Sequence, residues 1–246
     1  MYDVTMATEL PVPAWKTTRR PPAARPALSR DLIVDTALRL LDADGLDGVS
    51  MRRVADELGT GPASLYAHVA NKEELLDLLL NRVLEEVELP EPDPKRWQDQ
   101  LRELGHQLHQ VFARHRDIAV VALAAVPSAP NALRVAECMF GIMLAGGVPV
   151  NVAALALDRF SLYVAGDAYE GSLYDRQRIA SGLAEGEFER RHIRQVQDFF
   201  EKLPADQFPL IVKHVAALAE AGGEERFEFG LDMMVRSLAT HVPKRR

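Results

Sequence analysis

Between Ser50 and Lys72 the chain reads SMRRVADELGTGPASLYAHVANK, and this stretch restricts the fold more than any other. Met51, Val54, Ala55 and Leu58 recur at helical spacing on one face, with Arg52, Arg53, Asp56 and Glu57 on the other. Gly59 stands where the chain has to turn sharply. Pro62 lacks a backbone donor and therefore suits the first turn of a new helix, which Leu65 and Val69 anchor inward. Left outside are Ala63, Ser64, Tyr66, Ala67 and His68. These small residues and hydrogen-bonding heads let a helix approach base edges in a major groove. The layout is that of a helix-turn-helix DNA reader.

The flanks extend the pattern. Ser29 is placed to cap a helix whose stripe is Ile33, Ala37, Leu40 and Leu41, ending near Ala43-Asp44-Gly45. Asn71-Lys72-Glu73-Glu74 is a cap with an acidic residue three positions on, opening a helix that turns Leu76, Leu79, Leu80, Val83 and Val87 inward. The expected unit is a three-helix DNA-binding domain over residues 28–72, joined directly to a longer fourth helix.

These residues resemble a family, the tetracycline-repressor-like (TetR/AcrR) transcriptional regulators. The resemblance rests on Ala55-x-Glu57-Leu58-Gly59-x-Gly61-x-x-Ser64-Leu65-Tyr66-x-His68-Val69-x-Asn71-Lys72-x-Glu74-Leu75, an ungapped run. It extends more loosely through Trp97-Gln98-Asp99, Arg114-His115-Arg116-Asp117, Pro127, Asn131-Ala132-Leu133 and Phe227-x-Phe229-Gly230-Leu231, which look like the effector domain of the tetracycline-repressor branch. It implies a homodimeric regulator, most often a repressor, that reads a palindromic double-stranded DNA operator and is released by a small molecule. Carried onto this chain, the DNA-binding residues are Arg52, Pro62, Ala63, Ser64, Tyr66, Ala67, His68 and Lys72.

A chain of 246 residues has room for a small domain and a larger one. Its net charge of −7 argues mildly against nucleic acid. Affinity for phosphate depends on where cations lie, however, and Lys16, Arg19, Arg20, Arg25 and Arg30 form a stretch without an acidic residue. No apolar run has the length of a membrane span and no signal peptide opens the chain, so a cytoplasmic protein is expected. A single cysteine, Cys138, excludes an internal disulfide framework, and its apolar setting suits a core residue better than a redox sensor.

Residues 1–27 hold five prolines and little periodicity, which reads as a disordered arm. Its arginines follow the DNA backbone or enter an adjacent minor groove, or the arm is a tail of no consequence. Beyond the hinge Leu89-Pro90-Glu91-Pro92-Asp93-Pro94 the chain turns helical, and residues 73–246 are expected to form a helical effector-binding and dimerisation domain. The fold class is all-α. Gly171 to Gly186 reads as a mobile loop, followed by helices over Glu187 to Leu203, Asp206 to Ala221 and Glu224 to His241. The dimer surface is expected on the helices near 151–170 and 224–241, through Val152, Leu155, Leu162, Val164, Phe227, Leu231, Met234, Val235 and Leu238. The alternative is that both helices are buried within one subunit.

The tetracycline-repressor branch holds a magnesium–drug complex through a histidine just before the counterpart of Pro127. This chain has Ala122 and Ala125 there, and Leu104 and Leu108 where the branch uses an amide and a phenylalanine. The expectation is no metal, no cofactor, and an apolar effector cavity lined by Leu104, Leu108, Phe112, Leu123, Met139, Met143, Phe160 and Tyr163. Ordinary core packing is the competing reading of each. Two further classes have weaker support. Glu103-x-x-His106 and Glu189-x-x-His192 have the spacing of a di-iron bundle, but the second sits among Arg190, Arg191 and Arg194, and no nucleophile or phosphate-loop motif is present. An architectural DNA protein without ligand would not need so long a helical continuation.

Overall fold

The computed structural model describes residues 27–124, 128–219 and 222–243, and among these residues regular structure is entirely helical. The proline-rich arm, with Lys16, Arg19, Arg20 and Arg25, lies outside the described residues, as do Ala125 and Pro127.

The reader forms from α1 (Arg30–Asp44), α2 (Met51–Glu57) and α3 (Pro62–Leu65). Side-chain caps open both α1 and α2, the first of them the expected one. Ser29 Oγ accepts from the Leu32 amide at 3.2 Å, and Ser50 Oγ accepts from the Arg53 amide at 3.2 Å. α1 stops at Gly45, whose φ of +76° a side chain would resist. α4 (Lys72–Val83) is capped by Asn71, whose Oδ1 accepts from the Glu74 amide at 2.8 Å. Its buried face, Leu75, Leu79, Leu80 and Val83, packs against α1 on one side and against the larger domain on the other.

The larger domain is built around α5 (Trp97–Arg114), α6 (Ile118–Ala124), α7 (Pro130–Ala145), α8 (Val150–Ser181) and α12 (Gly223–Thr240). α5 is central and packs against α7, α8 and α12. The hinge before it is pinned by buried Gln100, which donates to the Glu91 carbonyl at 2.7 Å and accepts from the Asp93 amide at 2.8 Å. At the turn between α7 and α8, a Cβ on Gly146 would stand 2.4 Å from the Trp97 ring, so only glycine lets that ring close the end of the bundle.

Two expectations need correction. Residues 171–181 are not a loop, because α8 continues to Ser181 and stops at Gly182 with φ +67°. Leu173, Arg176, Gln177, Arg178 and Ala180 are competent helix formers, an Asp175–Arg178 pair supports the turn, and Tyr174 meets Phe188 edge-on at 4.9 Å. The helix expected over 206–221 is two short ones, α10 (Pro209–Lys213) and α11 (Val215–Ala219), which pack beside α9 (Glu185–Glu201).

The apolar stripe on α12 also faces differently from the expectation. Phe227, Leu231, Val235 and Leu238, with Val164 of α8, are buried within the protomer. Leu231 and the Phe160 ring both close on Gly105, where a Cβ would come within 3.0 and 3.1 Å of them. The face that α12 leaves uncovered carries Phe229 and Met233, 71% and 56% exposed, and α8 leaves Leu155 72% exposed. A helix with apolar residues on two sides shows one stripe to the core and a second to the outside, which a single-stripe reading merges.

Candidate nucleic-acid interface and effector region

The reader's geometry follows from three anchors. Leu65 and Val69 are fully buried, and the Thr60 amide donates to the Ala55 carbonyl at 2.9 Å across a turn that Gly59 permits at φ +64°. α3 is thereby fixed against α2. The helix is short, and it closes with the His68 and Val69 amides donating to the Leu65 carbonyl at 2.8 and 2.9 Å.

Of the expected DNA-binding residues, Pro62, Ala63 and Ser64 are exposed on α3, and Tyr66 and Ala67 are exposed in the turn that closes it, Tyr66 with 53% of its surface free. Arg52 lies on the exposed face of α2, tied only loosely to Asp56 at 3.9 Å with 87% of its side chain exposed. Its neighbour Arg53 is engaged with Asp44. His68 and Lys72 are half-buried at the edge of this surface. Arg30, counted above with the phosphate-facing cations, instead holds the reader together. Its Nε donates to the His68 carbonyl at 3.0 Å and its Nη2 meets Glu74 at 3.5 Å. The result is an exposed, uncharged surface over residues 62–67 with a long cation on the neighbouring helix, chemistry suited to base edges in a major groove.

The eight expected effector residues fall together on α5 to α8. Leu104, Leu108, Phe112, Met139, Met143 and Phe160 are buried, and Leu123 and Tyr163 pack partly buried against the same cluster. Beside them lies a polar group that sequence reasoning did not assemble. His109 Nε2 is 2.9 Å from Asp167 Oδ2, His106 Nε2 is 3.0 Å from Glu228 Oε1, and the Phe227 ring lies between those of His109 and Tyr163 with centroids at 4.2 and 5.7 Å. The Tyr163 hydroxyl donates to the Phe227 carbonyl at 2.8 Å. Burial pushes its pKa above the usual phenol range, and the carboxylates of Asp167 and Glu228 add to the effect. The signal for this group was the spacing of His106 and His109 on one side of α5, but their partners come from α8 and α12, which no local pattern reveals.

At the positions that the resemblance sets against the magnesium–drug site, Ala122 carries no metal-ligating atom and Leu104 and Leu108 are apolar. The Glu103-x-x-His106 pair is divided, since Glu103 is drawn to Arg96 at 2.7 Å while His106 turns to Glu228. Among the described residues no group of three potential ligands could hold a metal ion, and no helix is long and apolar enough to cross a membrane.

Residues 33–79 match the family described as bacterial regulatory proteins, tetR family, and residues 89–242 match the tetracyclin repressor-like C-terminal domain. The chain belongs to the TetR family. It is 30% identical to the HTH-type transcriptional repressor DrrR1 of Streptomyces coeruleorubidus, over 99% of this chain and 88% of that protein. It is 26% identical to the class D tetracycline repressor protein of Escherichia coli, over 87% of this chain and 91% of that one. Among solved structures it resembles ActR of Streptomyces coelicolor in complex with actinorhodin, with 38% identity, a TM-score of 0.78, and coverage of 89% of this chain and 99% of that chain. As a TetR-family member it is a DNA-binding, ligand-responsive transcriptional repressor that works as a homodimer, and not an enzyme.

Proposed function

We propose that two copies of α3, related by a twofold axis, enter successive major grooves of a palindromic operator. Ser64 and Tyr66 meet base edges, and Arg52 reaches from α2 to a base. Pro62, Ala63 and Ala67 allow the close approach, while His68 and Lys72 contact the backbone. The observation that carries this reading is the anchored, uncharged outer face of α3 beside the loosely held Arg52. The protein acts in the cytoplasm, where operator DNA is accessible.

The effector is a small, largely apolar molecule that opens a cavity among Leu104, Leu108, Phe112, Leu123, Met139, Met143, Phe160 and Tyr163 without a metal ion. ActR, the relative noted above, has been captured with actinorhodin and with (S)-DNPA, which supports an organic ligand for this chain as well. Binding displaces α6 and α7, which pack against α4, and swings the readers out of register, provided the ligand distinguishes the two states by about 1–3 kcal/mol. The dimer forms through the uncovered faces of α8 and α12, with Leu155, Phe229 and Met233.

A panel of lipophilic compounds headed by actinorhodin, scored by thermal stability and then by release of operator DNA, tests this reading. A compound that raises the melting temperature and releases DNA, with or without a chelator, is the expected result. Release that a chelator abolishes would overturn the metal-free site. Leu108→Trp and Met143→Trp should blunt release while operator binding persists.

A further inference from the structure

The last turns of α8 lie beyond the effector cluster, yet they are tied to the reader. Arg176 Nη2 stands 2.8 Å from Asp117 Oδ1, a contact between charges rather than an aligned hydrogen bond. Asp117 sits at the junction of α5 and α6 with a side chain only 6% exposed. Its second oxygen, Oδ2, accepts from the Leu46 amide at 3.0 Å, in the turn between α1 and α2. One buried carboxylate therefore joins α8 to the reader.

Two features show how closely the chain is fitted to this contact. Asp117 has φ +61°, a left-handed conformation that is costly for a residue other than glycine and persists only where its surroundings enforce it. Across from it, a Cβ on Gly45 would stand 2.4 Å from Asp117 Oδ2, so the reader brings bare backbone to the carboxylate. Neighbouring contacts close the same seam. Arg116 Nη1 donates to the Ala43 carbonyl at 3.0 Å, and His115 lies between Asp42 at 3.1 Å and Glu86 at 2.8 Å. Those residues fasten the α5–α6 junction to α1 and to the end of α4. Asp117 carries the connection on to α8.

We propose that Asp117 and Arg176 are positioning residues for operator reading: their ion pair fixes the angle of each reader on α8 and so sets the separation of the two α3 helices. The proposal rests on the dimer proposed above, in which α8 belongs to the shared scaffold. Half-sites lie about 34–36 Å apart, one turn of the duplex. Adding one base pair shifts a half-site by about 3.4 Å and rotates it by about a tenth of a turn. Readers held rigidly match one spacing and reject its neighbours. Readers released from α8 sample many separations, so the competent fraction at the native spacing falls while adjacent spacings become reachable. A purely structural role would weaken binding without changing that profile.

The test uses the full-length protein and an operator selected from random duplex DNA, with its spacer then lengthened or shortened by one base pair. Wild-type protein should lose on the order of 100-fold in affinity at either altered spacing. Arg176→Gln should bind about tenfold more weakly at the native spacing, yet lose less than about tenfold on changing it. Asp117→Asn keeps an acceptor for the Leu46 amide while removing the charge, and should reproduce this flattened profile. Arg176→Lys keeps the charge and should restore discrimination in part; if Arg176→Gln does not fold, Asp117→Asn and Arg176→Lys carry the comparison. A dimeric, folded Arg176→Gln with the wild-type spacing profile, at whatever affinity, overturns the proposal. Wild-type protein indifferent to spacing would overturn it together with the twofold reading beneath it, and sedimentation as a monomer would mark that second failure.

Discussion

Asn131 and Asn81 are hydrogen-bonded to each other twice, across the join between α7 and α4. The Asn131 amide nitrogen donates to Asn81 Oδ1 at 2.8 Å, and Asn131 Nδ2 donates to the Asn81 carbonyl at 3.0 Å. Asn131 is buried, and its own Oδ1 accepts from Arg134 at 3.0 Å. Since α4 also carries the reader, this pair is one of the fastenings through which the larger domain holds it. Asn131→Ala takes the Nδ2 donor from the part-buried Asn81 carbonyl and the Oδ1 acceptor from Arg134, and should cost about 1–3 kcal/mol in urea unfolding. Asn131→Asp, which sets a carboxylate against Glu85, should cost at least as much. An unchanged midpoint for both would show that the pair contributes nothing.

Specificity and affinity should separate on the reader surface. Arg52→Ala is expected to lose about 1–3 kcal/mol of operator affinity and to relax base preference at one position per half-site. Lys72→Ala is expected to weaken binding to all sequences alike and to flatten the dependence on salt. Anisotropy titrations across salt concentrations distinguish the two. Arg52→Ala with wild-type preference would place the arginine on solvent rather than on a base.

Alkaline pH should loosen the junction of α8 and α12. The Tyr163 phenol is raised above its usual range, chiefly by burial and then by Asp167 and Glu228. A group raised in the folded state contributes stability that is complete below its unfolded pKa and is lost as pH rises through the folded value. Ionisation also removes the donor to the Phe227 carbonyl. Stability measured from pH 8 upward should therefore fall more steeply above about pH 10 in wild-type protein than in Tyr163→Phe. Tyr174 is raised as well, so the comparison between the two proteins, not the slope alone, is decisive.

Charges on α12 should act oppositely on its two faces. Phe229→Asp and Met233→Asp lie on the uncovered face and should leave the protomer helical while sedimentation shows monomer, since each buries an unpaired carboxylate twice at the interface. Leu231→Asp enters the protomer core beside Gly105 and Phe160 and should unfold the chain. If Phe229→Asp remained dimeric, the interface would lie elsewhere.

The reader was legible because its signals are local. Ser29 and Asn71 cap the helices expected of them, and Leu65 and Val69 anchor α3 as their spacing implies. Other features depend on contacts between distant segments. The small and charged residues from Gly171 onward suggested a loop, but the cost of a glycine inside a helix, about 1 kcal/mol, is small beside packing such as that of Tyr174 on Phe188. α12 carried two apolar faces, and nothing in its periodicity told which one met Gly105. The partners of His109 and Asp117 lie on other helices, so the effector margin and the tie to α8 emerge only from the assembled fold.

Selection of bound sequences from a random duplex library, using the wild-type dimer and Tyr66→Ala in parallel, puts twofold reading by α3 to direct trial. The expected outcome is an inverted repeat whose half-sites are centred about one helical turn apart, with base preference in each half-site weakened by Tyr66→Ala. Enrichment of a single unrepeated site, or of no sequence at all, would contradict it.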